Sequence, residues 1–236
     1  MLILMLSFGA YLFALSKRTF IYAGLLLQIA YMISRGVTLG RLPLVGPHDT
    51  LVFLSASIVV FFIVFSVVLK DRPGFHKAVA MIASLFTVFA LTSKQHNTPL
   101  PPVLKTFWFE THVVLAFLSY ALFGIAAVLG YLYIRRQDHS LEGLQYRAVL
   151  IGYCLFTMSM IFGGIWAYLA WGTYWLWTPK ELWTSILWIF YSFYLHARLR
   201  QWWTGRPMAY LSIAGFAITL FTYLGVSLLM KSSHSF

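Results

Sequence analysis

The chain has 236 residues, of which 61% are hydrophobic and only 10% carry a charged side chain. A soluble domain carries charge on roughly a quarter of its residues, so the polar surface here is too small to cover a soluble fold. The composition therefore excludes a soluble globular domain, a disordered chain and a nucleic-acid-binding protein. The formal net charge of +11 is better explained by the basic loops of a membrane protein.

Eight apolar runs predict about eight transmembrane helices, since a helix needs about 20 residues to cross the ~30 Å hydrocarbon layer of a bilayer. The runs are continuous rather than alternating, so they indicate an all-α polytopic membrane protein and not a transmembrane barrel. In chain order they lie at residues 1–16, 19–34, 50–69, 78–93, 112–134, 148–171, 182–199 and 207–230. The whole chain, residues 1–236, is predicted to be a single membrane domain.

The basic residues predict which side of the membrane each loop faces. The loops after the odd-numbered runs hold 11 of the 17 Lys and Arg residues. Because cytoplasmic loops carry the excess of basic residues, both termini are predicted to lie outside the cytoplasm. The external side then collects the loop 40–49, the proline-rich loop 94–108 and the segment 166–183, which joins the sixth and seventh runs.

The most informative part of the chain is the stretch of residues 163–188, which contains six of the nine tryptophans. An aromatic belt at the membrane–water boundary is one explanation, although a belt normally spreads over both interfaces. The alternative is a ligand platform, because a densely aromatic loop offers flat apolar faces that suit a large planar molecule. Composition leaves both explanations open. The candidate ligand-contacting residues are Trp166, Trp171, Trp175, Trp177 and Trp183.

Three histidines are candidates for binding a metal centre. His112 and His234 are both predicted at the external ends of helices, on the side of the tryptophan segment, where a single histidine is more often a satisfied polar residue at the interface than a ligand. Neutral imidazole is a common axial ligand of haem iron, so two such histidines could hold a haem beside the aromatic loop. His196 lies near the cytoplasmic end of the seventh run and is either an interfacial residue or part of a second site.

Other classes of chemistry have little support in the sequence. No GxSxG, HExxH or Walker-type motif occurs, and no catalytic residue is assigned. The single cysteine, Cys154, excludes an internal disulfide and a CxxC site.

Several spaced motifs resemble the CcsA/ResC proteins of cytochrome c biogenesis. These proteins belong with CcmC and CcmF to one superfamily of haem-handling membrane proteins with a tryptophan-rich, WWD-type loop. The matching pattern runs from Trp166 through Trp177 to Glu181, and the motifs around His112 and His196 and in the last helix also match. The resemblance is close over residues 100–236, which would contain the haem-handling core.

The resemblance implies the haem-binding subunit of a System II-type cytochrome c synthase, in which the enzyme is the assembly rather than this chain alone. His112 and His234 would be the axial ligands of non-covalently bound haem b, and the aromatic loop would hold the porphyrin. His196 would belong to a second site whose partner histidine comes from a CcsB/ResB-like membrane protein. Haem would be presented to the CxxCH motif of an apocytochrome c. A bacterial inner membrane is the expected location, with a thylakoid membrane as the alternative.

Two positions depart from the family pattern, since acidic residues are usual where Leu169 and Thr178 stand. Thr178 keeps a hydroxyl that could cap a helix, whereas Leu169 cannot replace an acid. Two alternatives therefore stay open. One is a noncatalytic haem-binding or regulatory membrane protein of the HemX type, and the other is a divergent structural subunit whose histidines bind nothing.

Overall fold

The computed structural model describes residues 1–69, 74–201 and 203–229. Helices dominate these residues, and no strand occurs among them, so the predicted all-α polytopic membrane fold is confirmed. In chain order the helices are α1 Leu2–Phe13, α2 Thr19–Leu39, α3 Pro47–Leu69, α4 Phe75–Thr92, α5 Phe107–Arg136, α6 Ser140–Trp171, α7 Pro179–Leu199, α8 Arg206–Leu220 and α9 Val226–Leu229. A 3-10 turn, Pro102–Leu104, precedes α5, and a π-helical turn, Phe221–Gly225, joins α8 to α9.

Six helical segments in the described residues are long and apolar enough to cross a membrane, namely α2 to α6 and the segment Arg206–Gly225. Helix α1 is apolar but has only 12 residues, and α7 has 21 residues of more polar composition. The predicted number of eight spans, and the placement of both termini outside the cytoplasm, stay predictions.

Several helices begin before the apolar runs that predicted them, whereas α1, Leu2–Phe13, is shorter than its run. Helix α5 begins at Phe107 rather than at residue 112, and the hydroxyl of Thr106 caps it by accepting from the N–H of Phe109 at 3.2 Å. Helix α6 begins at Ser140 rather than at residue 148 and carries Glu142 in its first turn. Hydropathy marks the part of a helix that lies in lipid, whereas backbone hydrogen bonding continues into the polar boundary.

The chain divides into two compact units, Met1–Pro101 and a second unit that begins at Pro102. In the first unit α1 to α4 pack in a closed ring, with α1 and α3 each lying against α2 and α4. Its centre is a buried polar network. The hydroxyl of Tyr11 donates to Gln28 at 2.5 Å, and the hydroxyl of Ser55 lies 3.5 Å from Gln28 and 3.1 Å from Thr87. Since each helix contributes one side chain, the network favours one arrangement of the four helices.

A buried ion pair closes one end of the first unit. The guanidinium of Arg35 on α2 donates to both carboxylate oxygens of Asp49 on α3, and the side chains are 8% and 0% exposed. Arg35 also donates to the side-chain oxygen of Asn97 at 3.1 Å, so the pair holds the loop after α4. Nearby, both ring nitrogens of His48 are hydrogen-bonded, to Tyr31 and to a main-chain carbonyl. His48 is therefore a structural residue.

In the second unit α5 to α8 form another ring, with α5 and α7 each lying against α6 and α8. Phe123 of α5 and Tyr191 of α7 stack at its centre, with ring centroids 3.7 Å apart. Towards one end, Gln145 of α6 donates to Ser212 of α8 at 2.5 Å. Aromatic stacking and a satisfied polar contact therefore join helices that lie apart in sequence.

The directions of these helices decide which residues share an end of the second unit. Tyr153 bonds to Ser192 and Thr157 bonds to Trp188, a spacing that makes α6 and α7 antiparallel. Helices α5 and α6 are also antiparallel, because residues 137–139 connect them directly. Helices α5 and α7 therefore begin at the same end. We call it the tryptophan end, because it also holds residues 166–183.

Candidate functional site

His112 lies in the second turn of α5, at the tryptophan end, and faces α6. Its Nδ1 is 2.8 Å from the carbonyl oxygen of Ser159, and because a carbonyl only accepts, Nδ1 carries a proton. The hydroxyl of Ser159 donates in return to the carbonyl oxygen of His112 at 2.8 Å. In the neutral ring this arrangement leaves the lone pair on Nε2. Metal-binding histidines are commonly held in this way by a hydrogen bond from the other ring nitrogen.

Helix α6 approaches His112 closely because residue 163 is a glycine. A Cβ at Gly163 would lie 2.6 Å from Nδ1 of His112, which is closer than real side chains come to one another. In the next layer towards the tryptophan end, Phe109 packs on Trp166 with ring centroids 5.1 Å apart. Successive layers of the α5–α6 interface therefore place the histidine beside the first tryptophan of the aromatic segment.

Trp166 is buried beneath the site and contacts the segments around it. It is only 4% exposed, and its indole N–H donates to the carbonyl oxygen of Val103 at 2.8 Å. Its ring meets that of Trp171 edge to face at 4.8 Å. These contacts hold the 3-10 turn, the end of α6 and the first of the exposed tryptophans together. Direct contact of Trp166 with a ligand stays a prediction.

The rest of the aromatic segment is more accessible. Trp171 at the end of α6 is 37% exposed, Trp175 is half-buried, and Trp177 is 71% exposed. Tyr168 and Tyr174 stack with ring centroids 4.5 Å apart and planes 12° from parallel. The loop between α6 and α7 therefore presents flat aromatic faces at its surface, as a site for a planar ligand requires.

Helix α7 begins with a capping box that also shapes this loop. Thr178 is the N-cap, and its hydroxyl accepts from the N–H of Glu181 at 3.4 Å. The carboxylate of Glu181 accepts in return from the N–H of Thr178 at 2.9 Å. Thr178 thus supplies the capping oxygen that an acidic residue would supply at this position. Glu181 was not among the predicted site residues, although the spacing Thr178–Glu181 with Pro179 between them is a recognisable helix-start signal.

Trp183 and the π-helical turn complete the described part of the tryptophan end. Trp183 is half-buried and packs edge to face on Phe221, with ring centroids 4.6 Å apart. Phe221 opens the π-helical turn, and such turns are frequent at functional sites. His234, the other predicted external ligand, lies outside the described residues.

Lys180 adds a basic group beside the aromatic loop. It lies in the first turn of α7, and burial lowers the pKa of its ammonium group. The helix dipole also disfavours a cation at a helix N-terminus, so an acidic partner would be needed to stabilise the charge of this ammonium group.

His196 is exposed and lies in the last turn of α7, at the opposite end from His112. The rings of Phe123 on α5 and Tyr191 on α7 stack, so the two residues lie at the same height along the helix axes and serve as a reference for both histidines. His112 precedes Phe123 by 11 residues, and His196 follows Tyr191 by five. At a rise of 1.5 Å per residue, the two histidines are separated by about 24 Å along the helix axes. They belong to two different places in the molecule.

The outward face of α7 is apolar along its whole length. Its exposed residues follow at helical spacing and lead to His196, and they are Leu182, Ile186, Ile189 and Phe193. One turn of helix places His196 on the same face as Phe193. The side chain of His196 is therefore directed away from the interior of the α5–α8 ring.

Comparison with known proteins gives several related sequences. The profile of the family described as cytochrome C assembly protein matches residues 45–234. The cytochrome c biogenesis protein CcsA of Guillardia theta is 32% identical over 86% of this chain and 79% of its own length. CcsA of Prochlorococcus marinus (strain MIT 9215) is 30% identical over 98% of this chain and 88% of its own length. CcsA of Chlamydomonas reinhardtii is 30% identical over 89% of this chain, but only 65% of its own length is matched.

Among solved structures, cytochrome c heme lyase CcmF has a similar fold, with a TM-score of 0.68 over 93% of this chain. The match covers 44% of CcmF, and its 16% sequence identity supports a similarity of fold alone. The profile match and the CcsA relatives carry the assignment further. This chain belongs to the cytochrome c assembly protein family, as its tryptophan-rich segment predicted.

Proposed function

We propose that this chain is the haem-binding membrane subunit of a System II-type cytochrome c synthase. Membership of the cytochrome c assembly family supports a role in cytochrome c biogenesis. The observation that carries the proposal is the setting of His112. Its Nδ1 proton is directed to the carbonyl of Ser159, and the aromatic segment begins in the adjacent layer of the same helix pair.

The external site would use His112 and His234 as the axial ligands of non-covalently bound haem b. The exposed indoles of Trp171 and Trp177 are suited to contact a porphyrin face, while Trp175 and Trp183 would line its edge. The amino group of Lys180 is suited to pair with a propionate. Haem is the cargo of this site, and these residues would bind and orient it.

A second site would use His196. Because this residue is exposed on the outward apolar face of α7, a second ligand would have to come from outside the α5–α8 ring. A CcsB/ResB-like membrane protein is the expected source. Both proteins would lie in the same bilayer, which is either a bacterial inner membrane or a thylakoid membrane.

The reaction at the external site would attach haem to the CxxCH motif of an apocytochrome c. Each thiol S–H adds across one vinyl group, so that sulfur bonds to one carbon and hydrogen to the other, with no leaving group. The reaction therefore needs a held porphyrin and an accessible vinyl edge more than it needs an acid or base from this chain. This agrees with a site built of aromatic faces and one oriented imidazole.

The proposal is tested by the reduced-minus-oxidised spectrum of the purified protein, together with a pyridine haemochrome assay of haem content. We expect a low-spin b-type spectrum that is lost in His112→Ala and in His234→Ala, with folding intact. His139→Ala is the matched control, because the side chain of His139 is 79% exposed at the other end of the second unit. If both ligand variants keep the wild-type haem content and spectrum, the ligand assignment is wrong.

Leu169 favours a second candidate function. Its side chain is 61% exposed near the end of α6, where the family pattern has an acidic residue. A noncatalytic haem-binding protein of the HemX type would bind haem and leave an apocytochrome unmodified, even with a CcsB-like partner present. A wild-type protein without haem, in the presence of that partner and adequate haem, would instead indicate a structural subunit.

A further inference from the structure

Glu181 makes one contact that a helix cap does not require. The same carboxylate oxygen, Oε2, accepts from the N–H of Thr178 at 2.9 Å and from the N–H of Leu176 at 3.0 Å. The bond to Thr178 completes the capping box of α7. The bond to Leu176 lies outside the helix and serves only the loop. Between the two donors stands Trp177.

The two bonds and the backbone of Trp177 depend on each other. An oxygen at 3.0 and 2.9 Å from two nitrogens keeps those nitrogens less than about 6 Å apart. In an extended chain, amides two residues apart are ~6.7 Å from each other, so residues 176–178 are not fully extended. Trp177 does turn, with φ of 56° in the left-handed region that bulky residues rarely adopt.

Burial distinguishes the two partners of this arrangement. Glu181 is only 8% exposed, whereas Trp177 is 71% exposed. This is the largest exposed fraction among the large hydrophobic residues that the structure describes in this loop. A buried carboxylate therefore holds an unfavourable backbone conformation at the residue with the most accessible indole. Strained backbone that the surroundings maintain is characteristic of binding sites.

We propose that Glu181 is a positioning residue, whose carboxylate holds Trp177 in the left-handed conformation and thereby fixes its indole where it stacks on the bound haem. This inference rests on the proposed function for the haem itself. It assigns to Glu181 a role beyond starting α7. Glu181→Gln keeps an oxygen that accepts both N–H groups, whereas Glu181→Ala keeps none.

Two measurements on the full-length protein test the proposal. Hydrogen exchange of the Leu176 and Thr178 amides is measured first in the haem-free protein, so that it reports on the backbone alone. We expect exchange about tenfold faster in Glu181→Ala and near the wild-type rate in Glu181→Gln. Transfer of haem to excess apomyoglobin is measured next on the loaded protein, with its visible spectrum. We expect release several-fold faster in Glu181→Ala and restored retention in Glu181→Gln.

Glu110→Ala is the matched control, because Glu110 is the acidic residue in the first turn of α5 at the same end of the unit. It should change neither measurement. Wild-type exchange rates in Glu181→Ala would overturn the proposal, and so would faster exchange without any change in haem release or spectrum. A wild-type protein that binds no haem would instead overturn the proposed function, while the exchange rates would still decide whether Glu181 holds the loop.

Discussion

His112 and Ser159 are joined by two hydrogen bonds of 2.8 Å that run in opposite directions between α5 and α6, and the hydroxyl of Ser159 also lies 3.1 Å from Nδ1 of His112. One uses the ring of His112 and the carbonyl of Ser159, and the other uses the hydroxyl of Ser159 and the carbonyl of His112. Both carbonyls belong to residues inside helices, so the acceptor of the ring proton is a fixed part of the backbone. The orientation of the imidazole is therefore set by helix packing rather than by the ligand it is proposed to bind.

Ser159→Ala distinguishes the contributions of the two hydrogen bonds, because it removes one and keeps the other. It removes the hydroxyl but leaves the carbonyl that accepts from Nδ1 of His112, so we expect the haem spectrum and haem content to be unchanged. The lost hydrogen bond should lower the free energy of unfolding by about 1 kcal/mol. Thermal unfolding in detergent and the visible spectrum check both statements. An altered spectrum would show that the hydroxyl, and not the backbone, orients the ring.

Gly163→Ala tests the close approach of α6 to His112. The added Cβ would lie 2.6 Å from Nδ1, so the helices must separate or the ring must move. We expect a loss of about 1–3 kcal/mol in stability and a reduced haem content.

Gly143→Ala on the same helix is the matched control, because a Cβ there meets nothing within 4 Å. It should stabilise the protein by about 0.5–1 kcal/mol, since alanine favours helix over glycine. Equal effects of the two substitutions would contradict the packing described for Gly163.

Thr178→Asp should be tolerated, because aspartate is as good an N-cap as threonine and the helix dipole favours its charge. Thr178→Ala should cost about 1 kcal/mol, since the N–H of Glu181 loses its acceptor. Expression level and thermal unfolding distinguish the two variants. Collapse of expression on Thr178→Asp would mean that a charge at this position is not solvated.

Trp177→Gly and Trp177→Ala both remove the indole, so haem retention should fall equally in the two variants. They differ in stability, because the left-handed conformation is unfavourable by about 1–2 kcal/mol for alanine but not for glycine. With φ of 56° at this position, the glycine variant should be the more stable of the pair. A more stable alanine variant in thermal unfolding would contradict this backbone conformation.

Asp49→Asn should destabilise the first unit by about 3–5 kcal/mol, because it leaves the buried guanidinium of Arg35 without its counter-charge. Replacing both residues, in Arg35→Met/Asp49→Leu, should recover much of that loss, as apolar pairs often replace buried ion pairs. Thermal unfolding of the single and double variants makes the comparison. A double variant no better than the single one would show that the contact of Arg35 with Asn97 matters more.

Some of the site could be predicted from the chain and some could not. The spacing of Trp166, Trp177 and Glu181 was sufficient to predict the family, because those residues are unusual and close in sequence. Thr178 was expected to be able to cap a helix, and it does so. The contact of Glu181 with Leu176 was missed, because a capping-box motif specifies bonds within the helix start and says nothing about the loop before it.

The sequence by itself determined that this chain is helical, that it belongs in a membrane and that it belongs to the cytochrome c assembly family. Hydropathy and local motifs decide these properties, because a bilayer demands long apolar helices and each motif lies within one stretch of chain. Only the tertiary structure decided that Ser159 orients His112 and that Gly163 leaves room for the ring of His112. It also decided that Trp166 is buried while Trp177 is exposed. These properties depend on contacts between α5 and α6 and on the path of the loop after α6. The free energy of such contacts depends on distances in space rather than along the chain.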